Sequence, residues 1–489
     1  MMMRLIFIIC IQIFFLFSCK QSETLEENDT PNVVFIVVDD LGHKDLGIYG
    51  STFYDTPSLD SLAQVSTRFT NAYAASPVCS PTRAALITGK DPVRVNITDW
   101  IPGFKMEYVE NPELIPPEDI HNLPLSEETM AEAFKSYGYK TFYAGKWHLG
   151  ETSDYWPGQQ GFDINKGGHH KGSPPGGYYS PYENPRLENG PDGEYLTDRL
   201  VDESIQFIEN NQDSAFFLYL AFYTVHTPIQ GCEKYDSYYQ QKKQLLPDQG
   251  KVETVQDGRL TTRINQSDAK YAAMVRSMDE NVGRILRKLN QLDMADNTII
   301  VFTSDNGGLT ARGNNPGPTS VYPLRAGKGW LYEGGIKVPL LIKAPGQQSG
   351  VITEQTAISM DLYPTVLQLA GLPLLQDQHL DGQSLLPYPD NNEKVDERML
   401  VWHYPHYHGT TWRPGSAIRQ GDWKLIEFYE ENTVELYNLA EDEGEQLNLA
   451  NQLPQKAEEL RRLMHQYIKA RHGSYPQEIS ANIQTSPDR

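Results

Sequence analysis

Three short segments, residues 32–38, 215–221 and 297–303, are apolar at nearly every position instead of at alternate ones. A strand with one wet face alternates with period two, so unbroken β-branched and aromatic runs predict parallel strands covered on both faces. Apolar positions recur at helical spacing over residues 60–68, 129–137, 197–210 and 268–292. Strands alternating with helices predict an α/β fold, a large, mixed, mostly parallel sheet sandwiched by helices. A Pro-, Asp- and Asn-rich stretch around residues 373–396 reads as a connection. Beyond it, residues 416–419, 423–429 and 434–439 have the texture of antiparallel strands and 455–471 that of an amphipathic helix. A main domain over residues 31–380 and a smaller C-terminal α+β domain over 381–489 are therefore expected.

The N-terminus departs from this pattern. Arg4 precedes an apolar run, residues 5–17, broken only by Gln12. That is shorter than the roughly 20 residues a spanning helix needs and suits a signal-peptide core. Its end, Leu16-Phe17-Ser18-Cys19, resembles a bacterial lipobox, in which the cysteine is lipidated after cleavage. Residues 1–18 are expected to be a lipoprotein signal, Cys19 a lipid anchor and 19–30 a polar tether. The mature chain would then sit in the bacterial envelope, in the periplasm or on the outer-membrane surface, held to the membrane through lipid only. Cys79 and Cys232 remain, too few for a disulfide framework in an exported protein. With 64 acidic side chains against 42 Lys and Arg in 489 residues, the net charge is −22. This excludes a nucleic-acid partner gripped by a global basic field. A small anionic substrate stays open, because a few local cations decide it.

Asp39 and Asp40 close the first apolar run, and Asp305 and Asn306 follow the one at 297–303. Ligands of open α/β sheets bind beyond the carboxyl ends of strands, so these four oxygen-bearing side chains are expected to converge there. Adjacent carboxylates repel unless a cation lies between them. Four hard oxygen donors suit Ca²⁺ or Mg²⁺ better than a thiophilic metal, and one Ca²⁺, with Mg²⁺ second, is the expected cofactor.

The most specific local signal is Ser76-Pro77-Val78-Cys79-Ser80-Pro81-Thr82-Arg83, continuing through small residues to Thr88-Gly89. It resembles the Cys-x-Pro-x-Arg signature of type I sulfatases, a family of the alkaline-phosphatase-like superfamily. In that family a formylglycine-generating or radical-type maturation enzyme oxidises the cysteine to formylglycine (3-oxoalanine). Val38-Asp39-Asp40-Leu41-Gly42 and Ser304-Asp305-Asn306-Gly307 resemble the family's metal motifs, and Gly145-Lys146-Trp147-His148 its Lys/His motif. Thr224-Val225-His226-Thr227-Pro228 resembles the strand end with a second catalytic His, and Arg325-Ala326-Gly327-Lys328 the segment with a second sulfate-binding Lys. The resemblance spans about residues 31–470 and departs at His43-Lys44, where a Tyr-Gly pair is common.

The resemblance implies that hydrated formylglycine at position 79, itself a metal ligand beside Asp39, Asp40, Asp305 and Asn306, attacks sulfur near Arg83. Lys146 and Lys328 would hold the sulfate and His226 would protonate the leaving oxygen. His148 would deprotonate the second hydroxyl of the formylglycine-sulfate intermediate, releasing inorganic sulfate. Two other readings compete. A phosphodiesterase or phosphonate hydrolase of the same superfamily usually carries His where this chain has Asn306. A catalytically silent surface glycan-binding lipoprotein would be expected to lose a charged site residue, and none is missing.

Substrate determinants are fainter. Gly168-His169-His170-Lys171 and Trp402-His403-Tyr404-Pro405-His406-Tyr407-His408, running on to Trp412-Arg413, read as aromatic, histidine-rich loops. Ring faces stack on sugars, while His and Arg reach hydroxyls or carboxylates. His169, His170, His403, His406 and Arg413 are accordingly candidate substrate contacts. Resemblance to exported bacterial carbohydrate sulfatases implies a sulfated polysaccharide or its oligosaccharides, an algal ulvan or galactan or a glycosaminoglycan.

Overall fold

The structure, a computed structural model, describes residues 30–388 and 398–479. The expected signal peptide, Cys19 and the tether up to residue 29 lie outside the described residues, as do residues 389–397 of the expected connection. Among the described residues no helix is long and apolar enough to cross a membrane.

The three apolar runs are strands of one eight-stranded sheet. Its strands are β1 (Asn32–Val38), β2 (Thr67–Tyr73), β3 (Lys140–Gly145), β4 (Ile164–Lys166), β5 (Phe216–Ala221), β6 (Thr298–Ser304), β7 (Leu340–Lys343) and β8 (Val351–Ile358). Their spatial order is β8-β2-β7-β6-β1-β5-β3-β4. From β6 to β4 the sheet is parallel, while β7 runs against both of its neighbours. Every residue of β1 is buried: Val34, Ile36 and Val38 enter one core layer, Val33, Phe35 and Val37 the other. Burying side chains of this size stabilises by about 1.5–3 kcal/mol each, and a one-residue slip would exchange the two layers.

Helices cover both faces. α3 (Leu196–Asn210) and α4 (Ala269–Gln291) pack on the first layer. α1 (Cys79–Thr88), α2 (Met130–Ser136) and α5 (Leu362–Leu369) pack on the second. Asp268 caps α4 by accepting from the Lys270 and Tyr271 N–H groups, and Thr129 with Glu132 forms a capping box on α2. The helix expected at residues 60–68 ends at Ala63, and the chain turns into β2. Pairing of β2 with both β7 and β8 outweighs the helical spacing there.

The C-terminal part is an antiparallel sheet of β9 (Met399–Tyr404), β10 (Gly415–Gln420), β11 (Trp423–Phe428) and β12 (Thr433–Asn438), followed by α6 (Pro454–Ala470). Leu460, Met464 and Ile468 of α6 cover Val401, Ile418 and Leu425 on one face. On the other face Trp402, Tyr404, Ala417 and Ile426 pack against Tyr73, Ile336 and Met360 of the main domain. The aromatic segment read as a loop thus begins as strand: residues 402–404 belong to β9, and only the residues after Tyr404 are loop.

Candidate active site

The chemistry-bearing segments leave the carboxyl ends of neighbouring parallel strands, and backbone hydrogen bonds extend the ladder past the strands themselves. Asp39 N–H donates to Thr224 O at 3.0 Å, Val225 N–H to Asp39 O at 2.8 Å, Asp305 N–H to Val38 O at 3.1 Å and Lys146 N–H to Ala221 O at 2.8 Å. Asp39 and Asp40, Asp305 and Asn306, Lys146 and His226 are therefore held at one edge of the sheet. At Gly145, where φ is +102°, a Cβ would sit 1.8 Å from Ala221 O, so this close approach admits no side chain. Asp40 and His148 adopt φ of 60° and 61°, a conformation non-glycine residues rarely hold unless the surroundings impose it. Cys79 is the first residue of α1, whose ten residues are all buried. It stands where the helix dipole favours negative charge.

Three carboxylates face three cations here. Lys146 Nζ contacts both Asp39 oxygens, at 3.0 and 2.8 Å. Arg83 donates Nε–H to Asp305 Oδ2 at 2.8 Å and Nη1–H to Lys146 O at 2.8 Å. Lys328 Nζ lies 2.6 Å from Asp40 Oδ1, which also accepts from Asn306 Nδ2 at 2.9 Å. Burial and the neighbouring carboxylates raise Asp39 well above the usual range despite Lys146. In Asp40 and Asp305 burial is outweighed, chiefly by Lys328 and Arg83 respectively, and both are held low.

Asp40 Oδ2 and Asn306 Oδ1 are buried and accept no hydrogen bond. Lone pairs in that condition cost free energy unless a cation or proton meets them. His226 donates Nδ1–H to Thr227 O at 2.8 Å, which leaves its Nε2 lone pair 3.8 Å from Asp40 Oδ2. One atom each from Asp39, Asp40 and His226 lies within 4.8 Å of the others. This crowded, oxygen-rich donor set fits a hard divalent cation.

Cys79 Sγ lies 3.4 Å from His148 Nδ1, and His148 Nε2 donates to Ile101 O at 2.5 Å. A carbonyl only accepts, so Nε2 carries the proton and Nδ1 turns its lone pair toward Cys79. Burial, then Lys146, pulls His148 well below its ordinary pKa, and burial raises the Cys79 thiol. Ser80 Oγ ties this geometry together: it accepts from Ile101 N–H at 3.1 Å and donates to His148 O at 3.0 Å. Burial and Lys328 lower His226 to about 3.

Above this floor opens a cleft of 710 Å³. Of the residues expected from the sequence, Asp40, Cys79, His148, His170, His226 and Lys328 line it. Asp39, Arg83, Lys146, Asp305 and Asn306 lie beneath, buried. Three expected substrate contacts are corrected by the structure. His403 sits on β9 opposite Ser416, bonds Ser416 Oγ at 2.6 Å and Ser474 O at 2.9 Å, and packs edge-on against Tyr475. His406 is buried against Thr98 Oγ1 at 2.8 Å. His169 is buried, and its carbonyl accepts the His148 N–H at 3.2 Å, so it supports the cleft instead of facing it. Arg413 pairs with Glu430 and lines an adjoining hollow. Trp100, Lys171, Arg312 and His408 line the cleft unanticipated. His408 belonged to the same histidine-rich run as His403, but nothing in local spacing separates the ring that faces the cleft from the two that are packed away.

Residues 31–372 match the Sulfatase family, and residues 326–473 match the C-terminal region of N-sulphoglucosamine sulphohydrolase. A sulfatase of Formosa agariphila is 32% identical, covering 88% of this chain and 86% of its own. Human N-acetylgalactosamine-6-sulfatase is 32% identical over 73% of this chain and 65% of its own, and human arylsulfatase A is 30% identical over 90% and 88%. The solved structure of Ps i-CgsB in complex with k-i-k-neocarrahexaose has a TM-score of 0.72 at 28% identity, covering 90% of this chain and 93% of that one. A family match over most of the chain, with relatives at this identity along most of its length, makes the protein a sulfuric ester hydrolase belonging to the sulfatase family, within the alkaline-phosphatase-like superfamily.

Proposed function

We propose that the enzyme removes sulfate from a sulfated polysaccharide or its oligosaccharides, using formylglycine made from Cys79 and one Ca²⁺. The observation that carries this reading is Cys79 at the floor of the cleft, between the His148 lone pair and the Asp40–Lys328 cluster. As encoded, the residue is a poor nucleophile: burial raises its thiol, whereas reactive cysteines have depressed values. Oxidation at this position would replace the thiol with an aldehyde, addition of water to that aldehyde would give the geminal hydroxyls, and a cation bound by Asp39, Asp40, Asp305 and Asn306 would supply charge neutralisation beside them. A maturation enzyme would carry out that oxidation, and the N-terminal pattern favours an exported, lipid-anchored product.

The chain's own residues then divide the work. Lys146 and Lys328 neutralise and orient the ester sulfate, and Arg83 holds Asp305 in place beneath it. His226 first takes up a second proton on Nε2, opposite the Nδ1–H held by Thr227 O, and as an imidazolium delivers it to the leaving oxygen. An anionic ester entering beside Lys328 would offset that lysine's depression of His226. His148 Nδ1, neutral and with its proton fixed on Nε2, accepts the proton whose removal expels sulfate. The amide at Asn306 favours this reading over the phosphoryl-transfer alternative. The carbohydrate substrate is supported by the hexasaccharide bound to Ps i-CgsB and by the name N-acetylgalactosamine-6-sulfatase among the relatives.

The test is sulfate release from a panel of sulfated galactans, ulvans and glycosaminoglycan oligosaccharides. The protein is co-expressed with a formylglycine-generating enzyme, and Cys79→Ala is run beside it. Release from a glycan by the mature enzyme, lost on the order of 10⁴-fold in the variant with melting temperature kept, is expected. Equal release by the variant would refute the assignment of Cys79.

A further inference from the structure

The cleft does not end at the reacting centre. A second hollow, of 800 Å³, adjoins the first, and the two share Gly313, His408 and Gly409. Gly313 N–H donates to Gly409 O at 3.0 Å, so the two loops are tied together at a waist. A Cβ on Gly313 would meet nothing nearer than Gly409 O, at 3.8 Å, so the waist is open where a side chain would fill it. At the same place His408 Nδ1 accepts from Thr410 N–H at 3.2 Å and lies 2.8 Å from Thr410 Oγ1. That arrangement puts the ring proton on Nε2, available to an oxygen passing through the waist.

The two hollows are lined differently. The first is lined by Lys171 and Arg312, which pair with no carboxylate among the described residues and are free to meet a sulfate group. In the second, Arg259 faces Glu431 at 3.3 Å and Arg413 is held by Glu430 and the Glu110 carbonyl. Each of these cations has a carboxylate beside it, so the second hollow is not built for another sulfate. Tyr108 is 66% exposed on its wall, tilted against Phe104 with ring centroids 6.2 Å apart. An exposed aromatic face among balanced polar groups matches a sugar ring, which presents a flat C–H face edged by hydroxyls. Either hollow has the volume of a pocket that encloses a small ligand, and a single sulfated sugar fills only one.

We propose that the two hollows are one trough: the first takes the sulfated sugar, and the second binds the next units of the same chain through Tyr108, Phe104 and Arg259. The proposal rests on the sulfated-glycan reading above and deepens it, making the substrate an oligosaccharide instead of a monosaccharide sulfate. The chain passes the waist at Gly313 and Gly409, where His408 Nε2–H meets it.

The experiment measures binding without turnover, by calorimetry on the full chain carrying Cys79→Ala. The probes are a disaccharide and a hexasaccharide prepared from one sulfated galactan, and a matched pair prepared from chondroitin sulfate. For one of these series the hexasaccharide should bind at least tenfold more tightly than the disaccharide. Tyr108→Ala and Arg259→Ala, both at exposed positions, should each remove most of that gain. Gly313→Asn, which tolerates the local φ of +56° and fills the waist, should do the same. Equal affinity for short and long chains, or a gain that survives all three substitutions, overturns the trough while leaving the glycan reading in place. Absence of binding at every length overturns both. Aryl sulfate turnover by the mature enzyme then shows whether the sulfatase chemistry stands by itself.

Discussion

Between the two sheets, Lys424 is fully buried and bridges Glu333 at 2.9 Å and Glu445 at 2.8 Å. Tyr73 OH donates to Glu333 Oε2 at 2.7 Å, Glu333 N–H donates to Glu445 Oε2 at 2.7 Å, and Lys337 reaches Glu443 at 2.9 Å. At the strand ends, Asp39, Asp40 and Asp305 are just as deeply buried and also face cations. Glu445 Oε1 of the seam, like Asp40 Oδ2 and Asn306 Oδ1 of the strand ends, accepts no hydrogen bond, but it is ion-paired with Lys424, whereas the strand-end cluster opens onto a cleft. The seam spends its charges on each other and joins two pieces of structure. The strand-end cluster keeps capacity in reserve for an ion and an anionic substrate. Burial and ion pairing alone do not tell a reactive centre from a structural one; leftover capacity facing a cavity does.

Breaking each cluster should give different signatures. Asp305→Ala should lower sulfate release on the order of 10³-fold, because it removes an oxygen donor and strands the buried Arg83 guanidinium. Ca²⁺ should raise the melting temperature of the wild type through linkage but not that of the variant. A variant stabilised as strongly as wild type would remove Asp305 from the metal set. Lys424→Met strands two buried carboxylates and should cost about 3–5 kcal/mol in denaturant unfolding. Its kcat/KM, corrected for the folded fraction, should stay within about twofold of wild type. A selective catalytic loss would mean that the seam communicates with the cleft.

Two subtler changes sharpen the contrast. Ser80→Ala frees Ile101 N–H and the His148 carbonyl, and should lower kcat roughly tenfold with KM little changed, by loosening the His148 tautomer. A parallel rise in KM would point to the cleft wall instead. Burial raises Glu445 to about 7 against the pull of Lys424, with Glu333 adding to the rise. The folded state therefore holds a proton that the unfolded chain has released between about pH 4.5 and 7, and stability falls as pH rises through that window. Glu445→Gln imitates the protonated side chain. It should melt about 1 °C above wild type at pH 8, the shift worth about 1 kcal/mol, and close to wild type at pH 5. Equal differences at both pH values would show that Glu445 does not titrate in that window.

Much of the architecture is legible in consecutive residues. β1, β5 and β6 are unbroken apolar runs because both faces are covered, and the acids that follow β1 and β6 mark the ligand-binding edge. Strands β3, β4, β7 and β8 lie outside the three apolar runs and are not among the expected strands, and β2 and β9 are hidden for different reasons. The first shares its stretch with helical spacing, and the second hides in an aromatic cluster whose alternation is visible only once Ser416 is paired with His403. Residues 402–408 hold three histidines, and the structure assigns them three fates: His403 packed beneath residues 474 and 475, His406 bonded to Thr98, and His408 facing the cleft.

The sequence by itself determined the α/β class, and its short motifs singled out the strand-end acids and Cys79 as candidates. Hydrophobic period and short motifs are properties of neighbours along the chain, and neighbours carry that information. Only the tertiary structure decided which side chains share a space. Arg83 meets Asp305 across 222 positions and Thr98 meets His406 across 308, and the waist at Gly313 and Gly409 exists because two distant loops exchange a backbone hydrogen bond. Contacts of that kind are set by how layers pack, a cooperative property of the whole core that no local pattern records.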